Sequence, residues 1–184
     1  MSVDELTRLQ KLGLPWQVAF AVIDRAIDDG FAVEHWNEIR VADRWIKSNV
    51  NQTATFTPVW DVDPQHFYLT MDGYRPNEFT EDIIVIDVDV SEGVTKLTYQ
   101  SGRSKAPFSS NHRSKSGHTA YRWALGKPVT PPLICSCNNE IAIVGGTHRF
   151  HLAHHYQATE IPCLARRDDA DLFTILTHAK VRHS

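Results

Sequence analysis

The chain has 184 residues, of which 42% are hydrophobic and 22% charged, a balance typical of a globular protein with its own hydrophobic core. No stretch reaches the roughly 18 uninterrupted apolar residues of a membrane span, and the acidic, helical beginning lacks the pattern of a secretory signal, so we expect a cytoplasmic protein. The formal net charge of −3 lacks the basic excess expected of a protein that grips duplex DNA through many phosphates.

The first 48 residues have the spacing of helices. A capping-box pattern opens the first predicted helix, which ends before Gly13. The second is predicted to begin at Pro15 and to end at Gly30, and a third fits residues 33–48. The predicted buried stripe of the second helix is Trp16, Phe20, Ile23 and Ile27. The predicted buried side of the third is Trp36, Ile39 and Trp45.

Beyond this region the pattern changes to that of β-strands. Residues 53–60 and 66–73 are rich in β-branched and aromatic side chains, which predicts two strands separated by a turn at Asp63. At 83–90 a run of Ile and Val turns into an alternation of Val and Asp, which predicts a half-buried strand that emerges at a polar rim. Residues 94–100 are predicted to pair with that strand as a hairpin.

A basic segment follows, from Ser101 to His118. It contains four cationic residues and no carboxylate, which predicts a loop that seeks anions on a mildly acidic protein. Such a loop can close over phosphates or over an acidic substrate, with Arg103 and Arg113 as the expected substrate contacts. Solvated loop charges are the alternative.

The elements predicted after the basic segment are a helix at 118–126, strands at 133–136 and 140–144 around an Asn138-Asn139 turn, a helix at 147–157, a strand at 160–165 and a helix from Asp168.

The glycine pair between the strand at 140–144 and the next helix has the chemistry of a phosphate site. A strand that runs through Gly145 and Gly146 straight into a helix places backbone N–H groups beside a backbone that a ligand can approach closely. Thr147 can cap the helix or donate its hydroxyl, His148 can donate hydrogen bonds or shuttle a proton, and Arg149 offers a guanidinium fork. The alternative is a glycine turn with a structural ion pair of Arg149.

This region resembles the signature of the ParB/sulfiredoxin superfamily, in which a strand ends in a G-x-H-R-like box that opens a helix and is followed by a short I-P strand. The matching residues are Gly145, Gly146, Thr147, His148, Arg149, Ala153, Ile161 and Pro162. The resemblance covers residues 118–165 well and reaches back to 83–90 more weakly. It implies an α+β fold, with a ParB/sulfiredoxin-like mixed sheet and flanking helices over 81–184, after an N-terminal helical region at 1–80 that matches nothing.

Members of this superfamily use the site to bind nucleoside triphosphates, and the resemblance therefore implies ATP or CTP with Mg²⁺ as ligands. It assigns the whole box, residues 145–149, to phosphate contact. From their own side-chain chemistry we expect catalytic roles for His148, which can shuttle a proton, and for Arg149, which can stabilise developing negative charge. Sulfiredoxin has a cysteine where this chain has Thr147, which removes sulfiredoxin chemistry. Partition proteins continue into a helix-turn-helix DNA reader, whereas 19 residues follow Ala165 here, so specific DNA partitioning is not expected.

Two further clusters are candidates for metal or proton chemistry. Asp87 and Asp89 point to the same side of their strand, so they can hold Mg²⁺ for a triphosphate, or one of them can act as general base. Solvated strand-edge carboxylates are the alternative. His148, His151 and His155 share one helix face and can bind a transition metal, although the same face must pack against the sheet.

These features predict a nucleotide-binding protein that acts as an ATP-dependent phosphotransferase or NTPase on a small molecule. A kinase similar to the free-serine kinases is the concrete version. The first alternative is a ParB-like nuclease or DNA-binding protein, which the charge balance disfavours and the basic segment keeps open. The second is a non-catalytic nucleotide sensor whose N-terminal helices recruit a partner. No membrane partner is expected.

Overall fold

The computed structural model describes residues 3–24, 27–49, 56–71, 82–103, 105–109 and 113–182. In these ranges the α-helices are α1 (Val3–Lys11), α2 (Trp16–Ile23), α3 (Asp29–Asn49), α4 (Val90–Thr95), α5 (Arg113–Ala124), α6 (Thr147–His155) and α7 (Ala170–Thr177). The strands are β1 (Ile83–Asp89), β2 (Leu133–Cys137), β3 (Glu140–Gly145), β4 (Glu160–Arg166) and β5 (Lys180–Val181), and the 3-10 helices are Pro64–Thr70 and Arg167–Asp169. The fold is therefore α+β, as expected.

The strands of the described ranges form one mixed sheet in the order β3-β2-β4-β1-β5. β1 and β4 are antiparallel, with Asp89 opposite Glu160 at one end of the pair. β2 runs parallel to β4, where Leu133 pairs with Leu164, and antiparallel to β3, where Leu133 pairs with Gly145. β1 and β3 therefore run in the same direction, and what separates their C-terminal ends, Asp89 and Gly145, is the width of the two strands between them, β2 and β4.

The predictions for the C-terminal half are confirmed for the principal elements. Asn138 and Asn139 join β2 to β3 with φ values of 51° and 62°, the two positive angles of a tight hairpin turn. The helix predicted at 147–157 and the strand at 160–165 correspond to α6 and β4. The helix predicted at 118–126 begins earlier, at Arg113, so the second part of the basic segment is helical rather than a loop.

One strand prediction fails because local capping overrides β propensity. Instead of a strand at 66–73, residues 64–70 form a 3-10 helix, since the Asp63 side chain accepts a hydrogen bond from the Gln65 N–H at 2.9 Å and Pro64 suits the first turn. Residues 72–73 of this predicted strand and residues 53–55 of the other one lie outside the described residues. The remainder contributes an isolated bridge between Trp60 and Val129.

The predicted hairpin after β1 is also wrong. Asp89 accepts a hydrogen bond from the backbone N–H of Glu92 at 2.9 Å and thereby starts α4. The segment that resembled a hairpin turn is therefore the first turn of a helix. Lys96 and Thr98 then bond to β3 through Ile141, whose N–H donates to Lys96 O at 2.7 Å and whose carbonyl accepts from Thr98 N–H at 2.9 Å. This segment covers the outer edge of β3.

The buried faces predicted for the N-terminal helices are confirmed in part, since Ile27 is buried, Ile23 and Trp36 pack against the smaller core and Trp45 packs against the larger one. Gly30 lies inside α3 rather than ending a helix, and Trp16 is 57% exposed. The buried residues of α2 and α3 are the smaller Val18, Ala19, Ala21, Ala32, Ala42 and Ile46. Phe20, Trp36 and Ile39 also line a cleft described below. Periodicity locates an apolar face, but it does not say whether protein or open space lies against it.

Two hydrophobic cores are present in the described residues. The larger one packs the sheet against α5, α6 and α7 and includes the fully buried Phe150 and Phe173. The smaller one lies among α1, α2 and the beginning of α3. α3 then crosses α5 closely, because Gly117 leaves room for Ile46, whose Cγ2 would lie 3.0 Å from a Cβ at that position. The predicted domain boundary at residue 80 lies outside the described residues and stays a prediction.

The described helices include none that combines the length and the apolar character needed to cross a membrane.

Candidate functional site

Helix α6 starts at a glycine in the left-handed region. β3 ends at Gly145, and Gly146 takes a φ of 80° and a ψ of 21° as N-cap, with no side-chain hydrogen bond capping the helix. Its carbonyl accepts from the N–H groups of Arg149 and Phe150 at 2.9 and 3.1 Å. The first N–H groups of α6 thus lie at the positive end of the helix dipole, which favours an anion. Thr147 is the first helical residue, so capping, one of its two predicted roles, is wrong, while donation of its hydroxyl to a ligand stays a prediction.

Contacts within the protein explain both glycines. A Cβ at Gly145 would lie 2.7 Å from the carbonyl oxygen of Thr70, and a Cβ at Gly146 would lie 2.9 Å from the Cα of Pro132. Backbone crowds both positions, and the left-handed angle of Gly146 adds a second requirement for glycine. The glycine turn, residues 145–146, is therefore packed against the 3-10 helix Pro64–Thr70.

Arg149 holds three chain segments together at the glycine turn. Its Nη1 donates to the carbonyl oxygen of Thr130 at 2.6 Å, and its Nη2 donates to that of Thr70 at 2.7 Å. The planar fork of arginine serves both carbonyls at once. The side chain therefore positions the 3-10 helix and the segment around Thr130 against the start of α6. Its contact with phosphate stays a prediction.

A cleft of about 1240 Å³ opens beside the glycine turn. Its walls come from α2, α3, the 3-10 helix Pro64–Thr70, one side of α5 from Ser114 to Arg122 and the junction of β3 with α6. Among the described residues, the charged side chains that line it are Asp24, Asp61, Arg103, Lys115, Arg122 and Arg149, and the histidines are His35, His66, His118 and His148. Cations outnumber carboxylates there, so the cleft favours anions although the whole chain is acidic.

The cleft brings together most of the residues predicted to contact phosphate. The whole box, residues 145–149, lines it together with Arg103. Arg113 is exposed at the first position of α5 and is not among the lining residues. Residues 104 and 110–112 of the basic segment lie outside the described residues. The substrate contacts of Arg103 and Arg113 stay predictions.

Asp87 and Asp89 are not brought to the cleft. Both oxygens of Asp87 accept from Arg182, at 2.6 and 2.7 Å, while Asp89 caps α4. The hydrogen bond from the Glu92 N–H is the first cause of a lowered pKa of Asp89. β1 is three strands from β3 in the sheet, about 14 Å at the usual strand spacing. Their roles as Mg²⁺ ligands or general base stay predictions, and each carboxylate already has a structural partner.

The three histidines of the α6 face lie in different environments. His148 lines the cleft, whereas the Nε2 of His151 lies 2.8 Å from the carbonyl oxygen of Ser101. The His155 ring meets Phe108 edge-on, with centroids 6.2 Å apart. No group of three or more His, Cys, Asp or Glu suited to a metal ion occurs within the described part of the chain. The packing alternative accounts for His151 and His155.

Sequence reasoning missed a charge cluster beside the cleft. One oxygen of Glu38 on α3 accepts from Nε2 of His118 at 3.0 Å and from Nη1 of Arg122 at 2.7 Å, and the other lies 3.2 Å from Nζ of Lys127. The hydrogen bond from His118 is the first cause that holds the pKa of Glu38 well below its usual range. The partners are 80 or more positions apart, so no local pattern could reveal them.

A second histidine–carboxylate pair was also missed. Nδ1 of His66 lies 2.8 Å from Oδ2 of Asp61, and both residues line the cleft. The other oxygen of Asp61 accepts from the Asp63 N–H at 3.2 Å, next to the start of the 3-10 helix. The sequence did contain a local signal for this pair. Two carboxylates and a histidine surround one helix start within six residues: Asp61, Asp63 and His66.

Comparison with known proteins adds no family. No protein-family model matches the chain, and no curated protein matches its sequence. Among solved structures it is similar to one described as an oncogenic suppression activity protein, a plasmid fertility inhibition factor, in a gold(I) cyanide derivative. The identity is 13%, the TM-score is 0.42, and the match covers 78% of this chain and 86% of that one. A likeness of this size carries no argument about function.

His35 is held neutral in the wall of the cleft. Its ring stacks on Phe31, with centroids 5.7 Å apart, and meets His118 edge-on at 5.2 Å. Burial is the first cause that lowers the pKa of His35, to about 4, and the charges of His118 and Arg122 add to it. An imidazole with this pKa is uncharged in the folded protein at neutral pH.

We expect this histidine to make the protein sensitive to acid. Between about pH 6.5 and pH 4 the unfolded chain binds a proton at His35 that the folded chain does not, so stability falls as pH falls. The loss over that interval is on the order of 3 kcal/mol. His35→Phe keeps an aromatic ring and should flatten the pH dependence of the free energy of unfolding measured in urea. An unchanged slope in His35→Phe would contradict the low pKa.

Proposed function

We propose that this protein binds a nucleoside triphosphate in the cleft, with ATP favoured over CTP, and that it hydrolyses the terminal phosphoryl group or transfers it to a small molecule. One observation carries the proposal: α6 starts at the left-handed Gly146 without a side-chain cap, beside a cleft in which cations outnumber carboxylates. A ParB/sulfiredoxin-like fold and a cytoplasmic location belong to the same proposal. The order of β3, glycine turn, α6 and β4 in a mixed sheet supports the fold.

The dimensions and lining of the cleft suit a nucleotide. Its volume of about 1240 Å³ exceeds that of a typical small-ligand pocket, about 300–1,000 Å³. Phe20 and Trp36 line the cleft from the helical side and supply aromatic surface for a base, and the glycine turn lines the same cleft. The triphosphate would lie on the α6 start, where Arg103 and Lys115 neutralise its charge.

Phosphoryl transfer fits this arrangement because it needs little covalent participation from the protein. Its transition state is stabilised mainly by positioning and by charges directed at the phosphoryl oxygens. Arg122 and His148 are the further cleft residues that can donate to those oxygens. Mg²⁺ usually reaches such sites through substrate phosphates and one or two carboxylates, and Asp24 lines the cleft as a carboxylate that can serve in this way.

A thermal-shift panel of ATP, CTP, GTP and ADP with Mg²⁺ tests the proposal. At a concentration of about 100 times its dissociation constant, a bound nucleotide should stabilise the folded protein by roughly 2.7 kcal/mol. Lys115→Ala and Arg103→Ala should each weaken binding about tenfold or more, because each removes a charged hydrogen-bond donor. Turnover is followed as phosphate release from the same nucleotides.

Matched variants outside the cleft serve as controls. Lys96→Ala and Arg44→Ala remove exposed cations that do not line it, and they should leave nucleotide affinity unchanged. The absence of a shift with every nucleotide would rule the proposal out. A salt-dependent gel shift on DNA without nucleotide, lost in Arg103→Ala but kept in Arg44→Ala, would favour a ParB-like nuclease or DNA-binding protein instead. Binding without turnover would point to a nucleotide sensor.

A further inference from the structure

Histidine–carboxylate pairs occur at several places in the described part of the chain. They include His66 with Asp61, His118 with Glu38, and His178 with Glu92. A carboxylate that holds one imidazole nitrogen selects the tautomer and directs the other nitrogen, which is the arrangement a general base requires. The side chain of His178 is 81% exposed and does not line the cleft, whereas His66 and His118 both line it.

The pairs of His66 and His118 differ in the number of ion pairs that each carboxylate makes and in the exposure of each histidine. Glu38 also binds Arg122 and Lys127, and the side chain of His118 is 17% exposed, as expected of a structural cluster between α3 and α5. The side chain of His66 is 46% exposed, and its carboxylate partner has no second ion pair within the described ranges. Because the carboxylate accepts from Nδ1, that nitrogen carries the proton of the neutral ring, and the lone pair is on Nε2.

His66 is also tied to the glycine turn through several contacts. Its carbonyl oxygen accepts from Oγ1 of Thr130 at 3.3 Å, and the carbonyl of Thr130 accepts from Arg149. Arg149 holds Thr70 in the same way, at the other end of the 3-10 helix that carries His66. The four residues from His66 to Thr70 span about 8 Å of 3-10 helix. A single short helix, fixed at Thr70 by Arg149, therefore connects His66 to the start of α6.

We propose that His66 is the general base of a nucleoside triphosphate hydrolase and that Asp61 is its positioning residue. This inference rests on the proposed function and narrows it to hydrolysis. Nε2 of His66 takes a proton from a water molecule as the water oxygen bonds to the terminal phosphorus. The bond from that phosphorus to the bridging oxygen breaks, and its electron pair leaves with the diphosphate. Asp61 stabilises the imidazolium, which returns its proton to solvent.

Phosphate release from ATP and Mg²⁺ by the full chain tests the assignment. His66→Ala should lower kcat about 100-fold or more, while the Kd for ATP changes by less than about threefold. Added imidazole should restore part of the activity of His66→Ala and should not stimulate the wild type. Asp61→Asn keeps the side-chain shape but not the charge, so kcat should fall by less than in His66→Ala. His178→Ala, which removes a histidine paired outside the cleft, should keep wild-type kcat.

These measurements distinguish a failure of the general-base role of His66 from a failure of nucleotide binding itself. The inference is overturned if His66→Ala keeps the wild-type kcat. It is also overturned if His66→Ala loses activity, has a lower Tm and is not rescued by imidazole. A wild-type protein that binds ATP but releases no phosphate also overturns it, while nucleotide binding stands. A protein that binds no nucleotide in the thermal-shift panel removes the proposed function and the inference together.

Discussion

Replacing Arg149 by alanine is expected to lower the free energy of unfolding of the ligand-free protein by about 4 kcal/mol, because two buried carbonyl groups lose their donors. Thr70 and Thr130, which supply those carbonyls, are 1% and 4% exposed, so water cannot readily replace the guanidinium. For a chain of this length each kcal/mol corresponds to about 2–4 °C, so the Tm should fall by roughly 8–16 °C.

Variants of Arg149 separate this structural role from the predicted phosphate contact. A lysine has one charged nitrogen and can serve one of the two carbonyls well, so Arg149→Lys should lose about half as much stability. Arg44→Ala, which removes an exposed arginine of α3, should change it by less than about 0.5 kcal/mol. An unchanged Tm of ligand-free Arg149→Ala, combined with lost nucleotide binding, would show that phosphate contact is the main role of Arg149.

Replacing Glu38 by alanine is expected to cost a similar amount, about 4 kcal/mol, because it leaves a cationic cluster without its carboxylate. His118, Arg122 and Lys127 all bond to this side chain, which is 16% exposed, and they connect α3 to α5 and to the segment after it. Their mutual repulsion would then oppose the packing of the helices. Urea unfolding at pH 7 measures the loss, and Glu34→Ala, an exposed position one turn earlier on α3, is the matched control.

The pH dependence of the Glu38 effect has a defined sign. Because the pKa of Glu38 is lowered on folding, its contribution is complete above the ordinary value of 4.5 and is lost as pH falls towards the folded value. The stability difference between wild type and Glu38→Gln should therefore be largest near neutral pH and should shrink below about pH 4.5. A difference that stays constant or grows on acidification would contradict the lowered pKa.

Local signals predicted the segment from β2 to β4 well, because each of its boundaries has its own residues. The Asn138-Asn139 turn, the glycine turn and the apolar strands around them specify conformation within a few residues, without help from distant contacts. The two elements predicted wrongly had local signals too. Asp63 with Pro64 and Asp89 with Glu92 are helix starts, and their hydrogen bonds overrode β propensity.

The site was predictable only in part. Residues 145–149 were located in the sequence as a glycine turn that opens a helix, and the structure has that turn. The partners of Arg149 are 19 and 79 positions away, and those of Glu38 are 80 to 89 positions away. Side chains at such separations meet only after the sheet and helices have packed. Neither the structural role of Arg149 nor the presence of His66 in the same cleft could be inferred from spacing.

The amino-acid sequence by itself determined the α+β character of this protein and the anion-favouring start of α6, because turns, caps and periodicity act over a few residues. The tertiary structure alone decided what surrounds that helix start. It placed Asp87 and Asp89 at another part of the sheet, set Arg149 on backbone carbonyls, and brought histidines from α3, the 3-10 helix and α5 to one cleft. The physical reason is that register and helix packing, which local sequence does not specify, determine which distant side chains become neighbours.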